Sequence, residues 1–235
     1  PPPRGPSAVP PGAGPATPQD AGHGPSPSPA NPPPPPATPV VAAPPAATRA
    51  TFLELAGTGP TNAYIRVEGA AAIATNFVAP DGTFTVPLTL LPNRLNRLFV
   101  SAVGPGGVTS PGRPLEILQD SQPPTLFADF PTNGMVLTTP DTMVAGRVGD
   151  SLSGYAGLLV WVHSSPSEGE PPLASTVFPE DSPLRATVDV GIGPNGTYER
   201  GAVPLAEGTN LLTVVATDAL GNRTLRQLEV VRREL

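Results

Sequence analysis

The chain has 235 residues, of which 37 are Pro and 25 are Gly, about a quarter of its length and well above average usage. It has no Cys and two His, which excludes a disulfide scaffold, a thiolate zinc or iron–sulfur site, a thiol nucleophile and a multi-histidine metal centre. Its net charge is −6, every basic residue is Arg, and no basic run favours a phosphate backbone, so no nucleic-acid partner is expected.

No apolar stretch is long enough for a membrane-spanning helix. The chain opens on Pro1-Pro2-Pro3 with no Met start or signal peptide visible, and reads as a fragment of a larger chain or a processed form. Nineteen of the prolines fall in the first 50 residues, including the run Pro32 to Pro36, which leaves about 185 residues for folding. Residues 1–48 hold no aromatic side chain and few charges. Such a stretch cannot bury enough apolar surface to offset ordering. A disordered Pro-rich linker is therefore expected there, with polyproline II stretches that reach on the order of 150 Å. Docking onto a proline-recognition groove is the functional alternative.

From Thr51 onward, short apolar and β-branched runs alternate with Gly, Pro, Asn and Asp turns. This is the texture of an all-β sandwich. The first half predicts strands over Thr51–Ala56, Ala63–Val67, Thr83–Leu88, Leu98–Val103 and Pro114–Leu118. In the second half they fall at Met143–Val148, Leu158–His163, Ala186–Val190, Thr197–Pro204, Leu211–Thr217 and Leu225–Arg232.

An internal repeat organises these runs. Leu55-Ala56-Gly57 matches Val144-Ala145-Gly146. Asp81-Gly82-Thr83-Phe84 matches Asn195-Gly196-Thr197-Tyr198, and Val86-Pro87-Leu88 matches Val203-Pro204-Leu205. Asn96-x-Leu98-x-Val100-x-Ala102 matches Asn210-x-Leu212-x-Val214-x-Ala216. Leu115-Glu116-Ile117 matches Leu228-Glu229-Val230. The Asp-Gly and Asn-Gly pairs suit tight hairpins that need positive φ. The Leu-x-Val-x-Ala runs alternate at period two and should face a core. Asn96 and Asn210 are expected to cap turns, and Asp218 to open a hairpin closed by Gly221-Asn222. The expected organisation is a linker over 1–48, one sandwich over 49–120 and a second over 121–235, the second carrying an insert near 164–186.

The stretch Glu207-Gly208-Thr209-Asn210-Leu211-Leu212-Thr213-Val214-Val215-Ala216-Thr217-Asp218-Ala219-Leu220-Gly221-Asn222, with the repeated turns, resembles the ending of tandem bacterial immunoglobulin-like domains of secreted and cell-surface proteins. It is similar to the Ig-like domain B of glucodextranase. The resemblance covers about 49–235 and implies β-sandwiches of roughly seven strands, outside the cytoplasm, used as spacers or adhesive modules. The first copy departs from it, with Val103-Gly104-Pro105-Gly106-Gly107 where the second has Thr217-Asp218-Ala219-Leu220-Gly221.

No catalytic residue is assigned. His163, Ser164, Ser165 and Asp150 lack a nucleophile elbow, and Glu168, Glu170, Glu180 and Asp181 sit in a Pro/Ser-rich insert that reads as a solvated loop. No cofactor is expected, and no metal ligand is assigned. Ca²⁺ is the one candidate ion, through oxygen ligands at Asp120 in the junction and Asp150 in a loop, set against plain turn capping. Trp161, the only tryptophan, falls opposite Arg66 of the first copy and so on the outward face. The insert, with Leu173, Val177, Phe178 and Leu184, folds over it, or it serves as a ligand-binding platform for a sugar ring, or it makes an inter-module or partner contact. The sequons at Asn195 and Asn222 read as turn chemistry. The function these features imply is a non-catalytic, extracytoplasmic spacer. The alternative is an adhesive module binding polysaccharide or a cell-surface protein through the insert and Trp161.

Overall fold

A computed structural model describes Gly5 and residues 33–166, 183–189 and 196–234. The Pro-rich segment before residue 33, most of the insert, and the turn residue Asn195 lie outside the described residues.

The first sandwich begins earlier than residue 49. Strand β1 (Val40–Val41) pairs antiparallel with β3 (Phe52–Thr58), which in turn pairs with β6 (Thr83–Thr89). The facing sheet has the order β2 (Ala47–Thr48), β8 (Arg113–Gln119), β7 (Arg94–Val103), β4 (Tyr64–Glu68), β5 (Ala74–Phe77), with β2 running parallel to β8. Residues 40–48, read in sequence as the end of the linker, carry two short strands, one paired with each sheet. Proline concealed this. An edge strand bonds its neighbour on one side only, so it tolerates the prolines that a central strand cannot. Val41 is buried in the core all the same.

The second sandwich repeats the plan. Strand β9 (Thr125–Phe130) pairs with β11 (Asp141–Gly149), and β10 (Met135–Leu137) runs parallel to β16 (Arg223–Arg232). One sheet reads β13 (Thr187–Asp189), β14 (Gly196–Pro204), β11, β9. The other reads β10, β16, β15 (Gly208–Thr217), β12 (Leu159–Pro166).

Period-two burial sets the faces. Strand β6 alternates exposed and buried along its whole length, turning Phe84, Val86 and Leu88 inward. Leu98, Val100 and Ala102 of the first copy and Leu212, Val214 and Ala216 of the second are each fully buried, as the alternation predicts. Each copy closes its own core. One cluster runs from Val41 to Ile117 and the other from Leu126 to Val230.

The repeat Gly57/Gly146 has a packing reason. Gly57 faces Phe84 and Gly146 faces Tyr198 across a strand pair. A Cβ on Gly57 would lie 2.2 Å from the Val40 carbonyl and 2.7 Å from the Phe84 ring. On Gly146 it would lie 1.9 Å from the Phe127 carbonyl and 2.7 Å from the Tyr198 hydroxyl. Each copy thus lays an aromatic ring over a glycine, under the neighbouring edge strand.

Candidate functional site

The chemistry gathers at the junction of the two sandwiches. Asp120 follows the last strand of the first copy, Asp150 follows β11, and Asp218 follows β15. One carboxylate oxygen from each lies within 4.8 Å of the others.

Each aspartate is held by a turn. Asp218 Oδ1 accepts from the Leu220 and Asn222 amides at 2.9 and 2.8 Å. Gly221, at φ 84°, lets that turn close. Asp150 Oδ1 accepts from the Leu152 and Ser153 amides, both at 2.8 Å. Asp120 Oδ1 accepts from the Gln122 amide at 3.0 Å. The Asp120 backbone ties the copies together. Its N–H donates to Thr48 O in the first copy, and its carbonyl accepts from Asn222 Nδ2 in the second. Asn222 Nδ2 also donates to Asp218 Oδ2 at 2.8 Å. Gln119, fully buried, reaches Arg49 O and the Asn93 amide, and Asn93 Oδ1 accepts from the Ser121 amide and hydroxyl.

Turn capping is therefore present at all three aspartates. It does not use everything they offer. Asp120 is fully buried, and its Oδ2 has no hydrogen-bond partner. No described residue forms an ion pair with any of the three. The sequence pointed to Asp120 and Asp150 but treated Asp218 as a turn former alone. The missing signal was topological: β11 and β15 belong to different sheets, and only the closed sandwich shows that both end beside the junction.

The other candidates fall elsewhere. Trp161, the candidate on the outward face of its strand, is 3% exposed. The chain leaving the insert returns along the free edge of β12: Val162 donates to Leu184 O and Ala186 to Val160 O, with a bridge between Trp161 and Arg185. Ser164 and Ser165 lie in β12 beside Leu212 and Leu211, whereas Asp150 joins Asp120 and Asp218. Glu168, Glu170, Glu180 and Asp181 lie outside the described residues. Asn222 of the second sequon is buried and engaged through its amide.

Exposed aromatics stand on the first copy instead. Tyr64 and Phe77 meet edge-on at 6.1 Å on the outer face of the five-stranded sheet, and Phe77 is 78% exposed. Thr75 and Asn76 complete a groove there.

Electrostatic perturbations belong to the fold. The Thr83 hydroxyl and amide hold the Asp81 carboxyl below its usual range at the first hairpin. The Arg147 guanidinium does the same for Asp129 across β9 and β11. Burial pushes the Tyr198 phenol well above its ordinary value, with the charge on Asp129 adding to it.

The fold defines the class: an all-β chain built of tandem immunoglobulin-like sandwiches with their loops meeting at a polar junction. No protein-family model and no characterised protein sequence matches it. Among solved structures it is similar to the fibronectin(III)-like modules of Clostridium thermocellum CbhA, at 16% identity over 83% of this chain and 94% of that one, TM-score 0.33. A marsupial T cell receptor matches at 8% identity over 84% of this chain and 74% of the other, TM-score 0.48. A tetra-tandem repeat from the extending region of a large adhesion protein matches at 18% identity over 78% and 46%, TM-score 0.32.

Proposed function

We propose that the chain is a non-catalytic spacer of an extracytoplasmic protein, of the kind that bacterial immunoglobulin-like repeats provide, with the Pro-rich segment as its tether. One observation carries the reading: the repeated glycines, asparagines and core residues serve the fold. Gly57 and Gly146 make room for an aromatic ring, Asn96 and Asn210 fasten a loop, and the Leu-x-Val-x-Ala runs fill the cores. Two closed sandwiches in series supply length that resists unfolding.

A second reading, adhesion, is favoured by the exposed Phe77, set edge-on against the half-buried Tyr64, rather than by Trp161. Aromatic rings that remain solvent-facing mark contact surfaces more often than buried ones do. The test is retention of the full chain on a panel of cell-wall and extracellular polysaccharides, beside Phe77→Ala. The spacer reading expects both proteins to flow through. Retention that Phe77→Ala abolishes would replace it with a binding function on the first sandwich.

A further inference from the structure

We propose that Asp120, Asp150 and Asp218 form a binding site for a single calcium ion that pins the junction of the two sandwiches. Three carboxylates offer oxygens within 4.8 Å of one another. One of them is fully buried and holds an oxygen with no hydrogen-bond partner. A buried carboxylate oxygen without a donor or cation is costly, and three like charges gathered together add to that cost. A divalent cation among them meets both demands at once.

The turns alone do not require this convergence. The first copy builds the corresponding turns without acids: Gly104 stands opposite Asp218, and the Gly57/Gly146 match puts Thr61 opposite Asp150. Its Gly104 lies beside the apolar ring of Pro36. The acids are a feature of the second copy, at the place where the first copy joins it.

Donor chemistry selects the ion. All ligands are oxygen, and no His or Cys is in the cluster, which disfavours zinc and softer metals. Ca²⁺ accepts six to eight oxygens in adaptable geometry and takes water for what the protein does not supply. Asp150 is only partly buried, so water reaches the ion from that side. Mg²⁺ demands a tighter octahedron and keeps its own water shell. Each carboxylate has lone pairs left beyond its turn bonds. An ion here would join the residue leaving β8 to the loops after β11 and β15, on top of the Thr48–Asp120–Asn222 backbone link. The proposal does not depend on the spacer reading: calcium binding can fail while the polysaccharide test still stands.

The test is calorimetric titration of CaCl₂ into the full chain after EDTA treatment, with thermal unfolding in parallel. The expected result is one ion per chain with Kd on the order of 10⁻⁴ M, the range of extracellular modules. Unfolding should move up by several degrees in about 5 mM CaCl₂ relative to EDTA. Asp150→Asn retains an oxygen to cap Leu152 and Ser153, and should bind at least about tenfold more weakly while unfolding in EDTA no earlier than the parent. Asp218→Asn gives a second, independent loss of binding. Coincident unfolding curves in CaCl₂ and EDTA with no saturable heat would overturn the site. So would parental affinity in both variants.

Discussion

Asn96 and Asn210 show how a single repeated side chain specifies a loop. Asn210 Oδ1 accepts from the Ala206 amide at 2.8 Å, and its Nδ2 donates to Ala206 O at 2.7 Å and Gly208 O at 3.1 Å. Asn96 makes the same three bonds to Leu91 and Arg94. Both are buried within strands, so an apolar replacement strands several backbone groups. Asn210→Ala is expected to cost about 2–4 kcal/mol in urea unfolding; a loss under about 0.5 kcal/mol would mean that water replaces the amide. Tyr198 makes the opposite case. Its hydroxyl is buried without a hydrogen-bond partner, and the first copy has Phe84 in its place. Tyr198→Phe should raise stability by about 1 kcal/mol. The pH dependence follows from the raised phenol. Above its ordinary value of 10.0 the unfolded chain releases the Tyr198 proton and the folded chain keeps it. Stability from this group is thus whole below pH 10 and falls above it, and Tyr198→Phe should lose less stability than the parent between about pH 9.5 and 11. The two asparagines were legible as turn-linked from their spacing. Their three-bond geometry was not, because the carbonyls they reach are placed by the folded loop.

At the scale of elements, the strands that carry the repeated motifs were readable, and several short or exposed edge strands were not. Strands β3, β6 and β11 and the first part of β7 bury alternate residues, and that alternation is written in the chain, whereas β15 is buried on both faces over its second half and reads as a continuous apolar run. Val40–Val41 and Ala47–Thr48 are too short to show a period and sit among prolines. Met135–Leu137 is equally short, and Ala74–Phe77 is mostly exposed. Edge strands of this kind are recognised by their partners, which a single sequence does not display. A truncation separates the two boundaries. A chain beginning at residue 34 keeps β1 and β2, and its first sandwich should unfold where the full chain's does. Starting at residue 49 removes the buried Val41 and bares the β3 edge. That chain is expected to lose about 2 kcal/mol or more from the first sandwich and to associate through the open edge. Equal melting temperatures for the two truncations would return the boundary to 48.

For the whole molecule, the question is whether two sandwiches behave as one. Their cores share no residue: the first cluster ends at Ile117 and the second begins at Leu126. What joins them is polar and local. Asp120 bonds to Thr48 and Asn222, and Arg49 reaches toward Gly221. The repeat made two copies legible, while the acids that meet at their seam were scattered in sequence and needed the topology to bring them together. Separate cores with a small polar seam predict two calorimetric transitions, each answering to its own core. Leu98 is fully buried in the first core, and Leu98→Ala should cost about 3 kcal/mol, the usual range for opening such a cavity. For a domain of this size that lowers one transition by more than about 10 °C. The second transition should stay within about 2 °C in EDTA, since distant sites in separate cores act additively. A common shift of both transitions would show that the seam transmits stability and that the pair unfolds as a unit. If the shift became common only when calcium was added, the junction ion would be the coupling element, and the rigidity of the tandem would be set by the calcium around it.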